Sequence, residues 1–216
     1  MAFTIRRAAV ALAAALATSG AFAATELYEF KTFYDTSTLN PLDKTTLGYS
    51  VGTLRIDDIA GGVQLRLTLN DTLFPSASGK SLYVDELWLA GAAKGSIAID
   101  SGAALDVKKT AYYSKGFYGG FQRYNYDIDF KDGTLVEGDT AVLRILGAGV
   151  STATFGGANQ PIMMELANVG KPYNGFLGLN NTVHFLATAV PEPSTYALMG
   201  LGLAGIALAA RKRKAA

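Results

Sequence analysis

From Val63 to Asn70 apolar and polar residues alternate without a break, Val63, Leu65, Leu67 and Leu69 against Gln64, Arg66, Thr68 and Asn70. Successive strand side chains point to opposite faces, so a period of two means one buried face and one wet one. Tyr124, Tyr126, Ile128 and Phe130 repeat the pattern against Asn125, Asp127, Asp129 and Lys131. Segments 27–33, 48–56, 81–89, 96–99, 141–146, 162–166 and 182–189 also read as strands. Turn signals separate them: Asn40-Pro41, Gly61-Gly62, Ser78-Gly79, Gly119-Gly120, Asp132-Gly133 and Gly156-Gly157. No segment between the two ends carries a long helical period, which argues against a parallel α/β fold. The expectation is an all-β domain, an antiparallel β-sandwich or jelly roll.

The two ends obey a different rule. Arg6 and Arg7 precede an apolar run over 8–17, which Ala21-Phe22-Ala23 closes. These are the parts of a secretory signal peptide, with Ala21 and Ala23 small enough for a signal peptidase and cleavage expected after Ala23. The run falls short of the ~20 apolar residues that cross a bilayer. Ile5 stands where a twin-arginine signal wants Ser or Thr, which favours the general export translocon. At the far end Pro191-Glu192-Pro193 precedes an apolar run over 196–210, followed by Arg211, Lys212, Arg213 and Lys214. The prolines forbid helix or sheet pairing. As a transmembrane helix the run spans about 22 Å against a ~30 Å hydrocarbon core, a marginal anchor. The four cations hold the C-terminus in the cytoplasm. The chain thus divides into a signal peptide 1–23, an exported domain 24–190 and a tail 191–216.

The order of Pro191-Glu192-Pro193, a short Gly-rich apolar helix and a basic cluster resembles the PEP-CTERM sorting signal of Gram-negative bacteria that make exopolysaccharide. The resemblance implies processing near that motif by exosortase, a membrane protease, with release or transfer of the protein. It also implies an inner-membrane stage followed by the cell surface or the extracellular space. Residues 119–190 are similar to the C-terminal half of many such proteins at Tyr126, Ile128, Phe130, Gly138, Asp139, Gly147 and Gly149. Where those proteins often carry Ala-Ala-His-Val, this chain has Met164-Glu165-Leu166-Ala167-Asn168-Val169.

Six of the 19 cations sit in the two ends; setting Glu192 aside leaves 13 against 17 acids, a net of about −4. A nucleic-acid surface is disfavoured. The chain has no cysteine, so neither a disulfide scaffold nor a thiolate zinc site is available and the core alone must hold the fold. His184 is the single histidine and so the only candidate base for a Ser-His-Asp triad; with no G-x-S-x-G elbow present, the sequence does not point to one. His184 reads as structural or as surface polar.

Asn125, Asp127 and Asp129 share a strand face with Asp132 just beyond, and such oxygen ligands can hold calcium. The spacing is not that of an EF-hand and Lys131 interrupts it, so a solvated strand face, with no metal or cofactor, is expected. No carboxylate pair for glycoside hydrolysis stands out. The most unusual composition is the aromatic stretch 112–126, whose Gly116, Gly119 and Gly120 read as a loop. Tyr113, Phe117 and Tyr118 are its candidates for stacking on sugar rings, and Trp88 could join such a face. The function expected is a non-enzymatic surface or extracellular-matrix protein associated with exopolysaccharide or biofilm. The alternative is a carbohydrate-binding module or glycan-active enzyme using the aromatic stretch.

Overall fold

The computed structural model describes residues 24–34, 44–71, 74–77, 79–106, 109–118, 122–155, 162–170, 181–191, 200, 202–203 and 206, with backbone alone for 114–118 and 122–123. The signal peptide and most of the tail, including Glu192, Pro193 and residues 211–214, lie outside the described residues.

The first four strands are β1 (Thr25–Tyr34), β2 (Lys44–Thr46), β3 (Gly52–Ile59) and β4 (Gly62–Leu69). β5 (Tyr83–Leu89), β6 (Ser96–Ser101), β7 (Ala111–Tyr118) and β8 (Gln122–Asp129) follow. β9 (Thr140–Leu146), β10 (Ile162–Ala167) and β11 (Val183–Val190) complete the domain, with one 3-10 turn at Thr152–Thr154. The all-β expectation holds. The sandwich does not: instead of two sheets face to face, the strands form one antiparallel sheet in the order β6-β9-β4-β3-β1-β11-β10-β5-β8-β7, with β2 paired to β1.

The sheet curls until its edges nearly meet. Leu105, just past β6, bridges to Phe130, just past β8. The Asp106 amide donates to the Asp129 carbonyl at 2.9 Å and the Lys131 amide to the Ala104 carbonyl at 2.8 Å. At the other end of the seam Tyr112 Oη donates to the Ala92 carbonyl at 3.0 Å and Tyr126 Oη to that of Ala93. A shallow pocket lined by Gly95, Ile97, Leu105, Thr110, Ala111 and Tyr112 lies along the seam. Closing a sheet into a barrel removes exposed edges; here side chains and short bridges do part of that work.

The inward face carries the alternating apolar residues read from the sequence. Leu54, Ile56, Val63, Leu65, Leu67 and Leu69 are fully buried on β3 and β4. Each such side chain contributes about 1.5–3 kcal/mol relative to exposure. Phe33, Phe74 and Phe185 pack ring on ring, with centroids 5.6, 5.3 and 5.2 Å apart. Two adjacent glycines serve the β3–β4 hairpin for different reasons. Gly61 takes φ +78 in the turn, a conformation that penalises any β-carbon. A β-carbon at Gly62 would collide with the Ile145 carbonyl of β9.

Two strands escape the sequence reading. β2 is three residues long, too short to show a period. β7 occupies much of the stretch read as an aromatic loop, which is a β-hairpin with β8. Pairing passes from Tyr112↔Tyr126 directly to Gly116↔Tyr124. The extra residues in β7 break the alternation that would have revealed it.

Candidate functional site

Outward-facing residues of four neighbouring strands line up across the sheet. His184 on β11 pairs in register with Glu165 on β10, Glu165 with Glu86 on β5, and Glu86 with Asp129 on β8. A bulge adds a further carboxylate. Glu165 pairs with Glu86 and the next residue, Leu166, with Val84, so Asp85 is the unpaired extra residue. One carboxylate oxygen from each of Asp85, Glu86 and Glu165 lies within 4.8 Å of the others.

Of the residues expected on a solvated strand face, Asp129 is instead buried at 2% exposed, and in the same row His184 is 6% and Glu165 9% exposed. Burial first, and then the charges of Asp127, Glu165, Asp129 and Asp85, push the Glu86 carboxyl up to about 8. Asp85 rises to about 6 through burial and then the Glu165 charge. Asp127 also rises to about 6, through burial and the charges of Asp129 and Glu165, against a lowering pull from Lys109. Asp129 is raised by burial, partly offset by Lys109, whose Nζ lies 3.5 Å from its carboxylate. His184 Nε2 stands 3.1 Å from Glu165 Oε2, and the imidazole packs against Trp88 with centroids 5.6 Å apart. Asp127 Oδ1 is buried without a hydrogen-bond partner. Burial and mutual charge raise these carboxyls above the usual carboxylate range, and the oxygen donors of Asp85, Glu86 and Glu165 are of the kind that suits a hard oxygen-seeking cation. Asn125 and Asp132 do not join them: the Asn125 amide donates to the Tyr113 carbonyl at 2.9 Å, and Asp132 is exposed in a turn.

The aromatic candidates divide. Tyr113 is 46% exposed, as a stacking platform requires. Phe117 and Tyr118 lie on the β7 backbone, with side chains outside the described residues. Trp88 faces outward as expected but is 6% exposed, packed with Tyr124, Met163 and Tyr34.

At the C-terminus β11 is an inner strand, hydrogen-bonded on both sides, whose last residue Val190 pairs with Leu27. Exposed Pro191 follows at once, without a linker. Gly200, Gly202, Leu203 and Ile206 are helical, with Leu203 62% and Ile206 68% exposed. Among the described residues no helix is long and apolar enough to cross a membrane. A family model for the PEP-CTERM protein-sorting motif matches residues 189–214. The chain carries a PEP-CTERM sorting motif. No curated protein and no solved structure matches the chain. The PEP-CTERM motif implies exosortase as processing partner and export with sorting to the cell surface. It begins at residue 189, inside β11, so the PEP-CTERM tail is joined to the barrel by the barrel's own ladder.

The PEP-CTERM tail was legible because its parts are contiguous. The carboxylate row was not, because its members come from β5, β8, β10 and β11. One local signal existed: buried Val84 and Leu87 are three residues apart where a regular strand requires two, which marks the bulge between them.

Proposed function

We propose that the mature protein is a non-enzymatic component of the cell surface or extracellular matrix, carried into or onto an exopolysaccharide or biofilm layer by its sorting tail. The signal peptide 1–23 is removed after Ala23 by signal peptidase once the translocon has engaged the chain. The run 196–210 then holds the protein in the inner membrane, oriented by Arg211, Lys212, Arg213 and Lys214, until exosortase cuts near Pro191-Glu192-Pro193. The observation that carries the reading is the sorting motif at 189–214, directly joined to a barrel that ends at Val190. A non-enzymatic role is supported by the burial of His184, Glu165 and Asp129, which keeps these groups from meeting a large substrate.

Mass spectrometry of the mature protein from its native host tests the sorting part. The expected product begins at Ala24 and lacks residues beyond Tyr196; an intact C-terminus would make the tail a permanent anchor. The second reading, glycan binding through the β7–β8 hairpin, is favoured by the exposed ring of Tyr113. Retention of the mature domain on purified exopolysaccharide, before and after Tyr113, Phe117 and Tyr118 are changed to Ala, decides it. Equal retention removes the hairpin as the binding element.

A further inference from the structure

Between residues 24 and 190 the chain has four arginines, and three of them, Arg55, Arg66 and Arg144, stand on the outer face of the neighbouring strands β3, β4 and β9. Arg55 pairs with Arg66 in direct register, and Arg144 pairs with Gln64, one same-face step along β4 from Arg66. With strands ~4.8 Å apart, the outer two of these three strands are separated by about 10 Å. Like charges set directly opposite one another weaken a sheet, so the fold gains nothing from placing an arginine at 66.

Two of the three guanidinium groups are answered from within the sheet. Arg55 Nε donates to both oxygens of Asp57 at 2.9 Å, and Arg144 reaches Asp100 with Nε at 2.8 Å and Nη2 at 2.6 Å. Arg66 is exposed, and among the described residues its one hydrogen bond goes to Gln64 Oε1 at 3.5 Å. The remaining acids of β1, β3, β4, β6 and β9 are engaged elsewhere: Glu29 with Lys31 at 3.2 Å, Glu26 with the Tyr28 hydroxyl, and Asp58 with the Thr152 amide at 2.6 Å.

Hydroxyls surround the unanswered group. Thr53, Thr68 and Thr140 lie in register as the next outward row, and the hydroxyls of Thr68 and Thr140 are 2.8 Å apart. Among the described residues the exposed large apolar side chains are Tyr113, Leu203 and Ile206, none of them on this face. A protein partner calls for an apolar, aromatic-rich centre, and a nucleic acid for more cations than a domain of net charge about −4 offers. A guanidinium fork matches a carboxylate through two parallel bonds. Threonine hydroxyls, which both donate and accept, match the hydroxyls of a sugar.

We propose that the outer face of β3, β4 and β9 binds an acidic polysaccharide. Arg66 grips a sugar carboxylate, in the role that Asp57 and Asp100 fill for its two neighbours, while Gln64, Thr68 and Thr140 meet the sugar hydroxyls. The inference rests on the exopolysaccharide association proposed above and names the chemistry that holds the protein there. It uses no residue of the β7–β8 hairpin.

The test takes the processed wild-type protein, Arg66→Ala and Arg66→Lys, each purified from the native host, with an unchanged urea midpoint showing that a variant has kept its fold. Each is passed over immobilised polygalacturonate, its methyl ester, dextran, polyglutamate and the host's own exopolysaccharide. Polygalacturonate and the native polymer are expected to retain the wild type at low salt and the other three to let it pass. Arg66→Ala should bind several-fold more weakly, with Arg66→Lys in between because it keeps the charge and loses the fork. Failure of polygalacturonate to retain the wild type, retention unchanged in Arg66→Ala, or equal retention on polyglutamate or the methyl ester overturns the inference. The native polymer separates the two failures: retention on it that ignores Arg66 leaves the exopolysaccharide reading standing without this surface, and no retention on it sinks both.

Discussion

The two halves of this single sheet treat their outer faces in opposite ways. On β6, β9, β4 and β3 the outer face is wet: Arg55 pairs with Asp57 at 2.9 Å, Arg144 with Asp100 at 2.6 Å, and the Thr68 and Thr140 hydroxyls lie 2.8 Å apart. On β11, β10, β5 and β8 much of the outer face is buried, and on β10 all of it. Met163 is fully buried, Tyr124 2% and Trp88 6% exposed, and the carboxylate row lies beside them. In the first half the outward residues are solubilising and exchangeable. In the second, each polar group must find a partner or a proton, because water no longer serves it.

The largest expected effect comes from the apolar part of that second face. Met163 is an outward residue of β10 that takes the Tyr124 hydroxyl on its sulfur at 3.5 Å. Met163→Ala should cost about 2–5 kcal/mol, as for any deeply buried Met. Arg66→Ala, outward on β4 and exposed, should stay within about 0.5 kcal/mol. Urea unfolding of both variants measures the contrast directly. Equal small effects would mean that the outer faces do not differ.

Next comes the buried pair. His184→Ala leaves Glu165 in its buried position without the imidazole 3.1 Å away, and should cost about 2 kcal/mol, the penalty for an orphaned buried polar group. His184→Gln, which can still donate to the carboxylate, should recover part of it. A neutral effect of His184→Ala would show that the pair is wetter than its geometry indicates.

The third effect is a pH dependence opposite to ordinary acid denaturation. Glu86 is raised to about 8, and Asp85 and Asp127 to about 6, by burial first and then by neighbouring carboxylates, Glu165 and Asp129 among them in every case. In the unfolded chain these carboxyls return to about 4. The folded state therefore binds more protons between those values, and its stability falls as pH rises. The contribution is whole below about pH 4 and is lost progressively toward pH 8. The melting temperature of the mature domain should be higher at pH 5 than at pH 8. Glu86→Gln, a neutral isostere of the group that titrates last, should flatten the upper part of that slope, and a slope unchanged in this variant would remove Glu86 from the cluster.

The same contrast explains what could be read from sequence. The period of two was plain on β4 because its outward residues, Gln64, Arg66 and Thr68, meet water and can be polar. It vanished on β10, Ile162-Met163-Met164-Glu165-Leu166-Ala167, where every residue is buried. A strand covered on both faces reads as an apolar run whatever lies on either side of it. The acid row was hidden for a further reason: His184, Glu165, Glu86 and Asp129 become neighbours only through cross-strand register, and register is a property of the whole sheet. Curling into a barrel in place of a sandwich was equally out of reach, since both satisfy the same alternation. The tail needed no tertiary information, because Pro191, the apolar run and the basic cluster follow one another along the chain.

The smallest effect is expected where the geometry is best. Arg144 and Asp100 make the shortest ion pair on the wet half, 2.6 Å from Nη2 to Oδ1 with a second bond from Nε at 2.8 Å. By distance alone it outranks the His184–Glu165 pair. Yet the Arg144 side chain is 43% and the Asp100 side chain 26% exposed, so water screens the attraction and competes for both partners. Asp100→Ala should therefore cost no more than about 0.5 kcal/mol, the usual worth of a surface pair. The loss should shrink further in high salt, which screens exposed charges more than buried ones. A loss matching that of His184→Ala would mean that distance, not burial, sets the worth of a polar contact on this sheet, and the distinction between its two halves would fail.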